Sequence, residues 1–182
     1  VTVGRTGYTG EDGVELFFPE EHAETIWSLL LATARKEGIE IAPAGLAARD
    51  SLRFEPGFAL YGHELSRKIT PVEARLTWSC TMDGEFIGSD ALRSRKAQGG
   101  TERLVTFVMD ERAVPREGYE VYDTKEEPIG RVVTGLYAPT ANLYAGNAFV
   151  SRENVKVGTE LLIDVRGRMK HAHVAKRPLY SP

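Results

Sequence analysis

The stretch QGGTERLVTFVM, residues 98 to 109, decides how the chain is divided. Gln98-Gly99-Gly100-Thr101 carries the residues that punctuate regular structure, and a β-prone run follows it directly, so it marks the best boundary in the sequence. Downstream, short β-rich runs recur at 103–109, 119–122, 129–134, 143–150, 160–166 and 169–175, separated by Gly, Pro and charged turns. Regular short strands without a long helix predict a small antiparallel barrel or sandwich.

Upstream the texture is mixed. Two β-prone runs flank Glu11-Asp12-Gly13, and an Asp-Gly pair in that setting predicts a tight hairpin. Glu21 to Glu37 carries Ala23, Ile26, Trp27, Leu30 and Ala34 at helical spacing and stops at Gly38. Ile39 to Ile41 reads as a short strand and Pro43 to Glu55 as a second helix, with Gly57 just past its end. Short strands are expected near Tyr61 and over Leu76 to Cys80, and Ser89 is expected to cap a helix over Asp90 to Ala97. The fold class is therefore α+β. A domain of hairpin plus helices over 1–97 precedes a small antiparallel β-barrel domain over 98–182.

Composition narrows the function classes. Apolar residues at 42% and charged residues at 27% are ordinary for a globular chain and argue against disorder. The balance of 23 basic against 26 acidic residues, net −3, offers no global attraction to nucleic acid or to an anionic membrane. Apolar stretches such as Ile26 to Ala34 are too short to cross a bilayer. The single cysteine, Cys80, has no internal disulfide partner and fits a reducing, intracellular compartment. A chain that opens at Val1, inside a strand-like run and without Met, is expected to be a fragment or processed product.

GRTGYTGEDGVE, residues 4 to 15, raises the question of a ligand. A phosphate loop is disfavoured, because no Lys-Ser/Thr ending follows, the segment leads into a strand, and Glu11 and Asp12 repel phosphate. With Asp12 and Gly13 as a two-residue turn, Gly10 faces Glu15 and Tyr8 lies diagonally beside it. Glu15 is then either a reader of a flat, donor-bearing heterocycle or a carboxylate on the wet face of a hairpin. On the second helix, Arg49 and Arg53 are four apart, Asp50 can relieve Arg53, and Arg49 is left seeking an anion. That anion is Glu15, a ligand carboxylate, or only water and salt. Histidines 22, 63, 171 and 173 show no zinc-type spacing with Cys80, so no metal site is expected. Cys80 itself reads as a buried structural thiol.

The motifs GYTGEDGVE (7–15), GLAARDSLRFEPG (45–57), LYGHEL (60–65), ITPVEA (69–74) and FIGSDAL (86–92), in that order, resemble the C-terminal half of the glycine cleavage system T-protein family. The closing RPLY (177–180) resembles the family's Pro-Phe-Tyr ending. The resemblance implies an aminomethyltransferase that moves the one-carbon unit of glycine from the lipoyl arm of the H-protein to tetrahydrofolate, releasing ammonia. It implies folate contacts at Tyr8, Glu15 and Arg49, with Glu15 reading the pterin edge and Arg49 supplying positive charge. The family's essential aspartate lies outside this chain, so no catalytic residue is named. The polypeptide alone is expected to bind folate weakly and not to turn over. The location it implies is the cytoplasm of a bacterium or the mitochondrial matrix of a eukaryote. Two alternatives share the resemblance: a folate-dependent demethylase, and a non-catalytic folate-binding or interaction module.

Overall fold

Residues 102 to 175 close into a six-stranded antiparallel barrel in a computed structural model that describes residues 1–181. Its strands are β3 (Glu102–Met109), β4 (Glu120–Tyr122), β5 (Pro128–Ala138), β6 (Leu143–Ser151), β7 (Glu160–Asp164) and β8 (Met169–Ala175), after β1 (Thr2–Gly4) and β2 (Glu15–Phe17) near the start of the chain. Around the barrel the order is β3-β6-β5-β4-β7-β8, and β8 pairs back onto β3. The barrel alternative of the sequence reading is the one realised. Phe107, Val121, Val150, Leu161 and Ile163, all fully buried, fill its interior. Closure gives each of the six strands a hydrogen-bonded neighbour on both sides over part of its length, so the sheet has no free edge strand.

The run LVTFVM does not alternate apolar with polar because β3 is buried on both faces. One face lines the barrel; the other, with Leu104, Thr106 and Val108, lies under the N-terminal part of the chain. A bulge in β5 skips Val133 in its register against β6. The skipped carbonyl accepts the ring N–H of His63 at 2.8 Å.

Three helices precede the barrel: α1 (Ala23–Glu37), α2 (Leu46–Phe54) and α3 (Ser89–Gln98). Helix α1 ends as expected at Gly38, whose φ of +67° lets its N–H turn back to Ala34 and Arg35. Its first residues differ: Glu20–His22 form a 3-10 turn ahead of the α-helix. Ile39 to Ile41 is not a strand, since the Ile39 N–H is spent on Ala34 O at 2.8 Å and no neighbouring strand pairs with it. Helix α2 starts at Leu46 rather than Pro43, because Gly45 supplies the first accepting carbonyl, to Arg49 N at 3.0 Å. Thr77–Ser79 closes on local bonds as a 3-10 turn in place of the expected strand, and near Tyr61 only an isolated bridge to Leu65 forms. Ser89 is the first helical residue of α3, and its buried side chain makes no capping bond; Gly88 takes the cap position.

Candidate functional site

The two β-prone runs at the start of the chain do pair, but in a different register. β1 and β2 place Gly4 opposite Glu15, so residues 5–14 form an open loop and Asp12-Gly13 is no two-residue turn. Gly10 therefore does not face Glu15. The reason lies in competing tertiary anchors. The Tyr8 hydroxyl donates to Ala59 O at 2.5 Å, Tyr180 donates to Glu11 at 2.5 Å, and Gly10 packs on Pro56. These hold the loop against the segment that leaves α2 and pull it out of hairpin geometry.

Tyr8 stacks on Phe58, with ring centroids 5.7 Å apart and planes within 12°. The Arg49 guanidinium stands over the same ring, 5.1 Å from its centroid, a cation–π contact. Of the partners open to Arg49, Glu15 is not the one taken: among the described residues Arg49 forms no ion pair, and its exposed guanidinium lies over the aromatic ring. Burial pushes the Tyr8 phenol above its ordinary range, with the Arg53 and Arg49 charges opposing, so it remains a donor at neutral pH.

Below these groups a cavity of about 410 Å³ is lined by Tyr8, Leu46, Arg49, Asp50, Arg53 and Leu60. Its size and its apolar wall with a few convergent polar groups suit a small planar ligand. Glu15 does not line it. That carboxylate accepts the Thr6 hydroxyl at 2.5 Å through Oε2, and Oε1 has no bond among the described residues. The structure thus joins Tyr8 and Arg49 and leaves Glu15 on the neighbouring strand.

The floor of the cavity is a buried polar cluster. Arg53, 1% exposed, donates to Asp50 Oδ1 at 2.8 Å, Phe58 O and Glu64 Oε2 at 3.0 Å, and Thr134 Oγ1 at 3.2 Å. The Asp50 pairing is the one the sequence reading gave Arg53. Glu64 also accepts Leu60 N and Asn147 Nδ2, and Asn147 accepts Thr106 Oγ1 at 2.7 Å. Burial raises the Glu64 carboxyl, but Arg53 and the donors from Asn147, Thr134 and Leu60 outweigh it and hold the group below the usual carboxylate range. Sequence reasoning missed Glu64, Asn147 and Thr134, whose placement depends on folded strands far away in the chain. Glu64 left a trace only as part of LYGHEL.

A second cleft, about 570 Å³, is lined by Lys68, Thr70, Cys80, Phe86, Ile87 and Arg95 and shares no residue with the first. Cys80 is half-buried there, not buried as expected. Among the described residues no three His, Cys, Asp or Glu gather to hold a metal ion, and no helix is long and apolar enough to cross a membrane.

Two family models match the chain: the GCVT N-terminal domain over residues 1–84 and the glycine cleavage T-protein C-terminal barrel domain over residues 102–181. An aminomethyltransferase of Bacteroides thetaiotaomicron is 44% identical over 180 residues, covering 98% of this chain and 49% of that protein. An aminomethyltransferase of Desulforamulus reducens is 42% identical with the same coverage. The crystal structure of glycine cleavage system aminomethyltransferase T from Bartonella henselae superposes with a TM-score of 0.89 at 31% identity, over 98% of this chain and 49% of that one. The chain spans about half the length of the curated relatives it matches.

Proposed function

The chain belongs to the glycine cleavage T-protein family, and from that membership we propose that the cavity under Tyr8 is part of the tetrahydrofolate site of an aminomethyltransferase. The observation that carries the reading is the Arg49 guanidinium standing over the Tyr8 ring at a cavity of about 410 Å³. A flat pterin or aminobenzoyl ring fits against Tyr8, and Arg49 offers charge-assisted bonds to a carboxylated tail. Glu15 has one free carboxylate oxygen on β2 and would receive N–H groups from the rim of the site.

Bound tetrahydrofolate would take up the one-carbon unit of an aminomethyl group carried on the lipoyl arm of the H-protein. The residues of this chain bind and orient: Tyr8 packs, Arg49 neutralises, and Arg53, held on four sides, keeps the floor rigid. None of them is assigned to proton transfer, and the family's aspartate is not among the 182 residues. Because the chain spans half of its relatives, weak folate binding and no turnover are expected of it alone. The division we propose is a folate-binding part over 1–97 and a barrel domain over 98–182, working in a reducing compartment, the bacterial cytoplasm or the mitochondrial matrix.

Calorimetric titration with tetrahydrofolate tests the assignment. The unmodified chain should bind, and Tyr8→Ala and Glu15→Ala should each bind more weakly. Equal affinity of Glu15→Ala removes Glu15 from the site, and equal affinity of Tyr8→Ala removes the cavity.

A further inference from the structure

The loop that carries Tyr8 is fixed from the far end of the sequence. The N–H groups of Leu179 and Tyr180 donate to Glu55 O at 2.9 and 3.1 Å. The Arg177 guanidinium donates to Gly57 O. Loop residues meet the same turn: Gly10 packs on Pro56 and the Tyr8 hydroxyl reaches Ala59 O. Residues 55–59, at the exit of α2, are thus a platform shared by the tail and the loop.

One side chain joins the two directly, since the Tyr180 hydroxyl donates to Glu11 Oε1 at 2.5 Å. The acceptor is a carboxylate, which makes this a charge-assisted bond. Residues 5–14 form no ladder, and their internal side-chain bonds are an exposed Arg5–Asp12 pair at 3.3 Å and Glu11 N to Thr9 Oγ1 at 3.3 Å. A segment with Gly7, Gly10 and Gly13 has much backbone entropy to lose. Two anchors three residues apart, Tyr8 and Glu11, remove most of that freedom before any ligand arrives.

We propose that Tyr180 is a positioning residue for the cavity: by holding Glu11 it sets the 5–14 loop so that the Tyr8 ring stays stacked on Phe58 and forms the cavity wall. The ligand consequence rests on the tetrahydrofolate reading of that cavity; the positioning of the loop does not. The bond to Glu11 also raises the Tyr180 phenol above its ordinary range, so the link persists through neutral pH.

Hydrogen–deuterium exchange of the whole chain, read at amides 6–13 and run beside tetrahydrofolate titration, decides the matter. In Tyr180→Phe and Glu11→Ala those amides should exchange about three- to tenfold faster, and affinity should fall by a similar factor. Glu11→Gln, whose side-chain carbonyl still accepts the phenol, should restore both. Amides of Phe107 and Phe149 in the barrel should not change, which separates loop release from general destabilisation. Unchanged exchange at 6–13 in Tyr180→Phe overturns the proposal, as does Glu11→Gln exchanging as fast as Glu11→Ala. If the unmodified chain takes up no tetrahydrofolate, the folate reading fails and exchange alone decides the role of Tyr180.

Discussion

Arg53 Nη1 lies 3.0 Å from Glu64 Oε2 with both side chains closed off from solvent, and the pair ties α2 to the barrel through Thr134 and Asn147. Two charges buried together are stable only while each keeps its partners. Glu64→Ala removes the main counter-charge of Arg53 and orphans Leu60 N and Asn147 Nδ2. The expected loss is about 3–5 kcal/mol of unfolding free energy, measured by urea titration. A loss below about 1 kcal/mol would mean that Asp50 and water carry Arg53 unaided.

Acid should weaken the fold through the same residue. Glu64 is held below its ordinary range, with burial opposing and Arg53 plus three hydrogen-bond donors prevailing. Glu73 is lowered too, with burial opposing and Thr70 and Arg95 prevailing. A depressed folded-state pKa means that the unfolded chain binds the proton more readily. This contribution is therefore complete above the unfolded value of about 4.3 and is lost as pH falls through the folded values. Melting temperatures measured between pH 7 and pH 3 should hold steady to about pH 5 and then drop. Glu64→Gln should flatten that drop; an unaltered slope would assign it to other carboxylates.

Much of this was legible in the sequence where the signal is local. Helical spacing found α1 and Gly38 stopped it, and the six β-rich runs fall on the six barrel strands. The 5–14 loop was misread because the Asp-Gly turn signal is worth less than three tertiary anchors from Pro56, Ala59 and Tyr180, none of which a local window contains. Ile39 to Ile41 and Leu76 to Cys80 look like strands by residue type, yet a strand requires a partner and none adjoins them. Helix spacing points to Arg49 and the family motif to Tyr8, whereas the hairpin register that also pointed to Tyr8 is not the one formed; the contact of Tyr8 with Arg49, and the position of Glu15 outside the cavity lining, arise from the loop's path.

Arg49 separates binding from stability. It is exposed and unpaired with any acid among the described residues, so Arg49→Ala should lower unfolding free energy by no more than about 1 kcal/mol, the worth of its exposed cation–π contact with Tyr8. Loss of a charge-assisted contact to a ligand carboxylate should nevertheless weaken tetrahydrofolate binding about tenfold. Arg49→Lys should recover part of that affinity, because a point charge remains without the flat fork that stacks on Tyr8. Identical affinities for the three proteins in a calorimetric titration would remove Arg49 from the site.

Gly10 and Gly7 provide a matched pair within one loop. Gly10 has φ of +77°, and a Cβ added there would lie 2.9 Å from Pro56 Cβ, a ring carbon with no freedom to swing aside. Gly7 has no heavy atom within 4 Å of the same position and no positive φ. Gly10→Ala therefore meets both a left-handed backbone penalty of about 1–2 kcal/mol and a clash that lifts the loop from its platform. Gly7→Ala should be neutral within about 0.5 kcal/mol, or slightly stabilising through the lost entropy of the unfolded chain. Urea titration gives the two free energies, and exchange at amides 6–13 shows whether the loop has moved. Equal stability and equal exchange in the two variants would mean that the loop is not seated on Pro56 in solution.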